Sequence, residues 1–460
     1  MDALLHAGTA VEKVLSTAAD WLWGDWLLIA LLGLGVVYTT ATGVIQVRKF
    51  PLMVSRIIHG WKQDQQENGA AAVKNTAARV SPVQALFMAL GSCVGSGNIV
   101  GVSTALIAGG PGALFWMWAA AFLGMATKFG EIVLGICYRR KNEAGEYTGG
   151  PMYYIAAGLK APALGALTAV LLFIQNTGGT LIQSNVIAKV IQHNFGIPTY
   201  AAGIILAVLM IVIIHGGLRR LVRVQQKLVP IMSCLYITGG LIVIFANIHA
   251  VPAMFASIFE QAFTAKAGIG GLGGLAMRYG VARGLYSNEA GEGSAAVLHS
   301  TAEVKHPVEQ GLMGLAEVFV DTMIICSNTG FAVLASGVSL KGADASQLAA
   351  QAFAAVFEPM KYIVYISLLL FAFTSLMSQW FFGHVSLEYF HSVRGDRVYK
   401  VIFPIAILVG SISTIQAVWY LQDCALGLLI IPNIIAMVVL APKVRALTKE
   451  YFKRGESHDK

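Results

Sequence analysis

Residues 89–112 read ALGSCVGSGNIVGVSTALIAGGPG, a run apolar enough for a bilayer but too rich in glycine for an unbroken spanning helix. Glycine stands at 91, 95, 97, 101, 109 and 110, and each glycine inside a helix costs about 1 kcal/mol relative to alanine. Within hydrocarbon, opened backbone persists only where protein or a water-filled cavity takes up its free N–H and C=O groups. Two readings follow. Either this is a transmembrane helix broken near its centre, with half-helix ends facing a solute, or it is a small-residue packing face of the glycine-xxx-glycine kind.

Composition makes the bilayer the right solvent. Hydrophobic residues fill 56% of the 460 positions and charged ones 12%, with a mean hydropathy of +0.68, a balance foreign to soluble chains of this length. The chain is therefore expected to be an all-α polytopic membrane protein. Its net charge of +8 then reports topology and not nucleic-acid binding. The cysteines at 93, 137, 234, 326 and 424 have no metal or redox spacing and read as small packing residues. The first twenty residues carry Asp2, Glu12 and Lys13 but no basic n-region with a cleavage site, so no removable signal peptide is expected.

Apolar runs of about 20 residues, the length that crosses a bilayer at 1.5 Å per residue, recur about eleven times. They lie near 21–46, 82–108, 113–138, 163–192, 198–216, 228–249, 271–299, 309–338, 360–390, 400–420 and 422–441. Residues 251–263 carry apolar side chains at 254, 255, 258, 259 and 263, one face of a helix, and are expected at the membrane surface or as the first half of the seventh span. Basic residues orient the chain, because cytoplasmic loops concentrate Lys and Arg. With an outside N-terminus, the inside segments hold Arg48, Lys49, Arg56, Lys62, Lys74 and Arg79, then Arg139, Arg140, Lys141 and Lys160, then Arg219, Arg220, Arg223 and Lys227, then Lys305, then Arg394, Arg397 and Lys400, and a basic tail over 443–460. The outside segments hold only Lys13, Lys189, Lys266, Lys341 and Lys361. This predicts a cell-membrane protein with its N-terminus outside, its C-terminus inside and an odd number of spans.

Internal symmetry supports the broken-helix reading. Setting the first span apart leaves ten, and the sixth of these, GIGGLGGLAMRYGVARGLYSNEAGEGSAA, is again glycine-rich. The two glycine-rich spans run in opposite directions at matching positions of two halves, the strongest sequence pointer to a secondary transporter's binding site. The chain divides accordingly. Residues 1–80 give an N-terminal segment, one extra helix and a basic linker, 81–250 and 251–442 give two five-helix repeats of inverted orientation, and 443–460 give a cytoplasmic tail.

The segments GSGNIVGVSTALIAGGPGALFWMW, GGPMYYI at 149–155, RGLYSNEAGEGSAAVLH from 283 and FVDTMIICSNT from 319 resemble the alanine or glycine:cation symporter family, a branch of the amino acid-polyamine-organocation superfamily. The similarity runs from about residue 20 to 445. It implies a leucine-transporter-like inverted-repeat fold preceded by one extra helix, and sodium-driven uptake of a small neutral amino acid. It also implies a sodium site, in which Thr374 and Ser375 of FAFTSLMSQWFFG supply hydroxyls and backbone oxygens near Gly91 and Val94 complete the shell. The family's usual pattern in that helix is closer to F-S-T-I-L-G-W-S-Y-Y-G, so Gln379 stands where a tryptophan is expected and Trp380 replaces serine. A shorter, hydrogen-bonding amide in place of an indole makes a larger or polar neutral amino acid such as glutamine an expected substrate.

The chemistry of such a site follows from the ligand. A zwitterion in a low-dielectric site needs both charges matched. Amides at a half-helix N-terminus favour the carboxylate, and Gly95, Gly97 and Asn98 are where those amides are expected. Asn98 reads equally as a cap for the restarting helix. Freed carbonyls of the sixth core helix are expected to take the ammonium, from a break either in 268–274 or near Gly284 and Ser287. Gln183 and Asn185 line the pocket or bond a neighbouring helix.

Charges inside spans are rare and mark function or helix pairing. Glu317 and Asp321 lie four apart, a repulsive spacing if both are ionised, so one is expected to be protonated or paired, with Arg278 and Arg283 as partners. Lys128 and Glu131 are expected to pair with each other, and His384 with Glu388 one turn on. A channel would need a repeated filter or rings of charge, and a membrane enzyme a nucleophile with its base or a metal triad. The sequence offers neither, nor any cofactor site. The remaining alternative is coupling to protons in place of sodium.

Overall fold

A computed structural model of the chain describes residues 2–70, 80–263, 274–391, 393–413 and 416–458. Helix α1 (Asp2–Leu22) and helix α2 (Asp25–Thr42) are parted at Gly24, so the segment ahead of the first expected span is itself helical. Gly43 closes α2 in the left-handed conformation (φ 67°), which glycine adopts without a Cβ penalty. Helix α3 (Ile45–Arg48) is followed by α4 (Phe50–Ala70). Its Trp61 meets Phe87 edge-on at 5.0 Å.

Helix α5 (Pro82–Cys93) starts sharply. Ser81 Oγ accepts from the Gln84 amide while Gln84 Oε1 accepts from the Ser81 amide, with proline at the first position, a reciprocal cap. Helix α6 (Val100–Gly109) continues the same span at a 62° bend. Helix α7 (Gly112–Tyr138) is buried along most of its length. It ends at a small hairpin of β1 (Arg140–Lys141) and β2 (Tyr147–Thr148), which sequence periodicity did not suggest. There follow α8 (Pro151–Gly158), α9 (Pro162–Phe195), α10 (Thr199–His215), α11 (Gly217–Ala246) and α12 (Val251–Ala262). The second glycine-rich span is α13 (Gly274–Asn288) and α14 (Ser294–His299). Helix α15 (Pro307–Val318) runs through a π-helical segment, Phe319–Cys326, into α16 (Ser327–Ala335). The chain closes with α17 (Leu348–Ala354), α18 (Lys361–Glu388), α19 (Val393–Ile412) and the long α20 (Gln416–His458).

Among the described residues, seven segments are long and apolar enough to cross a membrane, and the bent pair α5–α6 makes eight. The other expected runs are helical but depart from that measure. Helix α10 has 17 residues, α13 and α14 are interrupted, and α19 begins among Asp396, Arg397 and Lys400. Helices α10 and α19 expose Ile204, Ile205, Val208, Val212, Val401 and Ile405. An apolar surface of this extent is what lipid solvates and water does not.

Close helix crossings explain two of the glycines. A Cβ on Gly130 of α7 would lie 2.0 Å from the Tyr38 ring of α2, whose hydroxyl donates to Met437 O at 2.8 Å. A Cβ on Gly112 would lie 2.4 Å from the Gln261 backbone of α12.

Candidate functional site

The first interruption is built from its own sequence. Val94 N closes α5 onto Leu90 O at 2.9 Å, Gly95 is extended (φ −138°, ψ −157°), and a single 3₁₀ turn, Ser96–Asn98, precedes α6. A Cβ on Gly95 would lie 3.0 Å from Ser375 Oγ of α18, so glycine lets that helix approach. The Gly95 amide is not open to a ligand, because it donates to Asn98 Oδ1 at 2.8 Å. Asn98 does more than cap. Its Nδ2 donates to Asp321 Oδ1 at 2.6 Å, and its carbonyl accepts from Thr329 Oγ1 at 2.8 Å. Gly97 lies 3.7 Å, measured from its would-be Cβ, from Ser287 Cα, so the two interrupted helices meet here.

The second interruption falls at residues 289–293, between α13 and α14, a turn later than the Gly284–Ser287 position expected from sequence. Its backbone takes positive φ at Glu289 (53°), Gly291 (94°) and Gly293 (88°), a conformation that only the glycines adopt freely. The other expected location, 268–274, lies almost wholly outside the described residues. Gly284 is a packing glycine and not part of the opened backbone, since a Cβ there would press on Met117 of α7 at 3.1 Å. Ser287, in the last turn of α13, donates to Asp321 Oδ2 at 3.0 Å. Thr322 Oγ1 donates to the same oxygen at 2.8 Å. Asp321 therefore sits fully buried in the π-helical segment, holding both interrupted helices.

Glu289 makes the second link between the breaks. It accepts from Ser92 Oγ at 3.2 Å and from Ser294 Oγ at 2.5 Å. The motif SNEAGEGS contains it, but no sequence signal separates it from an ordinary loop glutamate.

Helices α9 and α18 pack together beside the first break. Ser375 Oγ is within donating distance of Ser92 O (3.0 Å), which joins α18 to the end of α5, and of Phe371 O (3.1 Å), to which Thr374 Oγ1 also donates at 3.0 Å. Gly91 and Val94 are buried at the same end of α5. Gln225 of α11, not singled out from sequence, reaches this place and donates to Thr374 O at 3.2 Å and to Ser378 Oγ at 3.0 Å. Gln183 Nε2 lies 3.9 Å from the would-be Cβ of Gly95, and one turn along α9 the Gln379 amide lies flat on Gly179, its three atoms each 2.9 Å from a would-be Cβ. The side-chain oxygens of Gln183 and Gln379 are buried without a donor among the described residues. Trp380 is not brought to this level. It stacks on His384 at 5.3 Å and lines a cavity of about 740 Å³ between the hairpin, α8 and the end of α18, together with Arg140, Glu388 and Lys400. Asn185 bonds Gly410 O and Ser413 O of the α19 end at 2.9 and 2.5 Å and not the pocket.

The buried charges pair differently from the sequence expectation. Lys128 Nζ meets Glu317 at 3.1 Å, not Glu131, and His299 Nε2 meets the other Glu317 oxygen at 3.0 Å. Glu131 accepts instead from the Gly293 amide at 2.8 Å and Asn433 Nδ2 at 2.7 Å, matching a carboxylate to the restart of α14. Arg278 reaches Asp25 at the surface, 3.8 Å away, and Arg283 lies in electrostatic reach of Asp423, so neither serves Glu317 or Asp321. His384 pairs with Asp396 at 2.6 Å, and Glu388 accepts from Asn142 at 2.8 Å.

The tryptophan- and tyrosine-bearing motifs that carry the family resemblance make buried contacts between helices. Trp116 and Trp118 of GALFWMW donate to Ala262 O and Ser327 Oγ at 2.9 and 2.8 Å. Tyr154 of GGPMYYI donates to Asn433 Oδ1.

The model of a family described as the sodium:alanine symporter family matches residues 8–460. The uncharacterized transporter YflA of Bacillus subtilis is 39% identical over 94% of this chain and 92% of its own. The sodium/alanine symporter AgcS of Methanococcus maripaludis is 34% identical over 95% and 97%. Among solved structures, MhsT in complex with L-phenylalanine superposes with a TM-score of 0.50 at 13% identity, over 81% of this chain and 99% of that one, a likeness of fold alone.

Proposed function

The chain belongs to the sodium:alanine symporter family, and from that premise we propose that it takes up a small neutral amino acid together with Na⁺ by alternating access. As a member it is a multi-pass membrane transporter and not an enzyme. The observation that carries the reading is the meeting of two interrupted helices, linked through Asn98, Asp321 and Ser287 and through Ser92 and Glu289, at the level where Ser375 reaches the end of α5. Opened backbone of this kind inside a membrane protein lines a solute site.

In this reading the substrate carboxylate meets the turn at Gly97, and its ammonium faces the opened backbone after α13. Na⁺ lies among neutral oxygens between α5 and α18, near Gly91, Val94, Thr374 and Ser375. The side chain extends along α9 and α18 toward Gly179 and Gln379. Buried amide oxygens without donors at Gln183 and Gln379 favour a larger or polar side chain such as that of glutamine, since a site with unmatched polar atoms discriminates for ligands that pair them. The basic segments put α4, the hairpin and the end of α20 in the cytoplasm and the N-terminus outside. The halves 81–250 and 251–442 act as inverted five-helix repeats after one extra helix.

Proteoliposomes given an inward Na⁺ gradient are expected to accumulate labelled alanine or glutamine against its gradient, and to stop when choline replaces Na⁺. Proton coupling is the second reading, favoured by Asp321, a buried carboxylate with no cation within ion-pair distance among the described residues. Accumulation driven by a pH gradient without Na⁺ would transfer the assignment to it.

A further inference from the structure

We infer that Glu289 is a positioning residue for coupling: through Ser92 it joins the opened backbone of the second break to the seam between α5 and α18, so that ion and amino acid each change the binding of the other. The inference rests on the sodium-coupled reading above. Glu289 takes positive φ (53°) where α13 opens, a conformation that costs any residue carrying a Cβ. Glycine supplies the other positive-φ positions of this turn, Gly291 and Gly293. A strained residue with a side chain persists only where its surroundings hold it, and such residues cluster at ligand clamps and switch regions. Here the carboxylate does the holding. Ser92 Oγ donates to Oε1 at 3.2 Å, and Ser294 Oγ donates to Oε2. Among the described residues no cation stands within ion-pair distance of Glu289, and nearby Lys128 is paired with Glu317 at 3.1 Å. The carboxylate is committed to two hydroxyls, one in the last turn of α5 and one at the first residue of α14.

Ser92 makes this link a relay. Its hydroxyl faces Glu289, and its carbonyl lies 3.0 Å from Ser375 Oγ of α18. Ser375 has one hydroxyl proton and two carbonyls in reach, Ser92 O and, at 3.1 Å, Phe371 O, so its bond to Ser92 is exchangeable. A cation bound between α5 and α18 draws on the oxygens of this seam and fixes that choice. The last turn of α5 responds, and Ser92 Oγ carries the change to Glu289 and so to residues 289–293. Coupling runs equally in the other direction, because a ligand that orders the second break acts on Ser92 from its hydroxyl side. The other link between the breaks, from Asn98 through Asp321 to Ser287, includes neither Ser92 nor Ser375. In the relay Glu289 is the member that belongs to the second break.

The test measures binding of labelled alanine and labelled glutamine to the full chain in detergent, with NaCl or choline chloride. The quantity read is the ratio of the amino-acid Kd without Na⁺ to that with it, which a merely structural defect does not change, since it weakens binding alike under both conditions. The native chain is expected to bind its amino acid at least about fivefold tighter in Na⁺. Glu289→Gly, which relieves the backbone and deletes the relay, is expected to bring the ratio below about twofold. Ser92→Ala leaves the second break intact and is expected to lower the ratio to the same extent, and it decides the matter alone if the glycine variant does not fold. The double variant is expected to lower it no further, because both changes cut one chain. A folded Glu289→Gly or Ser92→Ala protein with the native ratio overturns the assignment. A native chain whose amino-acid binding ignores Na⁺ instead sinks the sodium-coupled reading, and this assignment with it.

Discussion

Asn98 Nδ2 donates to Asp321 Oδ1 at 2.6 Å, so the turn that restarts the first interrupted helix is tied to the π-helical segment Phe319–Cys326. The other carboxylate oxygen takes donors from Ser287 and Thr322. One side chain therefore reports on both interrupted helices at once, and π-helical turns commonly occur where function distorts a helix.

Replacing that carboxylate by an amide puts an N–H₂ group where donors already point. Asp321→Asn is expected to destabilise the protein by about 1–3 kcal/mol, the cost of an unmatched buried donor, and to weaken substrate uptake while keeping its stimulation by Na⁺. Thermal unfolding and Na⁺-dependent uptake check both parts. Loss of Na⁺ stimulation with normal stability would move the coupling step to Asp321.

Lys128 and Glu317 are both fully buried and 3.1 Å apart. Removing Glu317 strips Lys128 of its ion-pair partner, and removing Lys128 leaves Glu317 with only His299 Nε2 at 3.0 Å, so a buried charge is left unmatched or half-matched at a cost of about 3–5 kcal/mol. Lys128→Met and Glu317→Gln are each expected to lower the unfolding temperature sharply. The double variant is expected to recover most of the loss, because it buries no lone charge. Equal additive losses in the cycle would show that the pair does not interact.

A Cβ on Gly179 would stand only 2.9 Å from the Gln379 amide, so that amide occupies room left by a residue without a side chain. Gln379→Trp is expected to raise the KM for glutamine by about tenfold relative to that for alanine, in line with what shape alone achieves in small pockets. Competition by unlabelled amino acids in the same vesicles gives the ratio. An unchanged ratio places the substrate side chain elsewhere.

Ser81 heads α5 with a reciprocal cap and also donates to Asp64 Oδ2 of α4 at 2.6 Å. Ser81→Ala is expected to cost about 1 kcal/mol and to act locally. Hydrogen exchange in the first turn of α5 is expected to accelerate, with little change in α9 or α18. Uniform acceleration through the bundle would mean that α5 does not open on its own.

Much of the fold was legible because bilayer physics acts along the chain. Glycines crowded at one depth of an apolar run announced the opened backbone at Gly95, and the family motifs fell at the places where helices meet. The second break was legible only as a region. Glycine spacing does not distinguish Gly284, which seats α13 on Met117, from Gly291 and Gly293, which take left-handed backbone. The pairing of charges was not legible. Glu317 and Asp321 are four apart, yet one ends in α15 and the other in a π-helical turn, so they face different neighbours and need no shared arginine. Gln225 looked like one polar residue among several near the start of α11, and nothing local marks an amide oxygen as unmatched.

Sequence by itself determined the solvent, the run of apolar helices and the presence of two interrupted segments, because the cost of burying open backbone or charge in hydrocarbon is met or not met locally. Only the tertiary structure decided that Lys128 answers Glu317, that Asp321 binds the two breaks together, and that Gln225 stands beside Thr374 with its oxygen free. Such pairings depend on which helices come to the same depth and turn toward each other, and residues far apart in the chain carry no local trace of that.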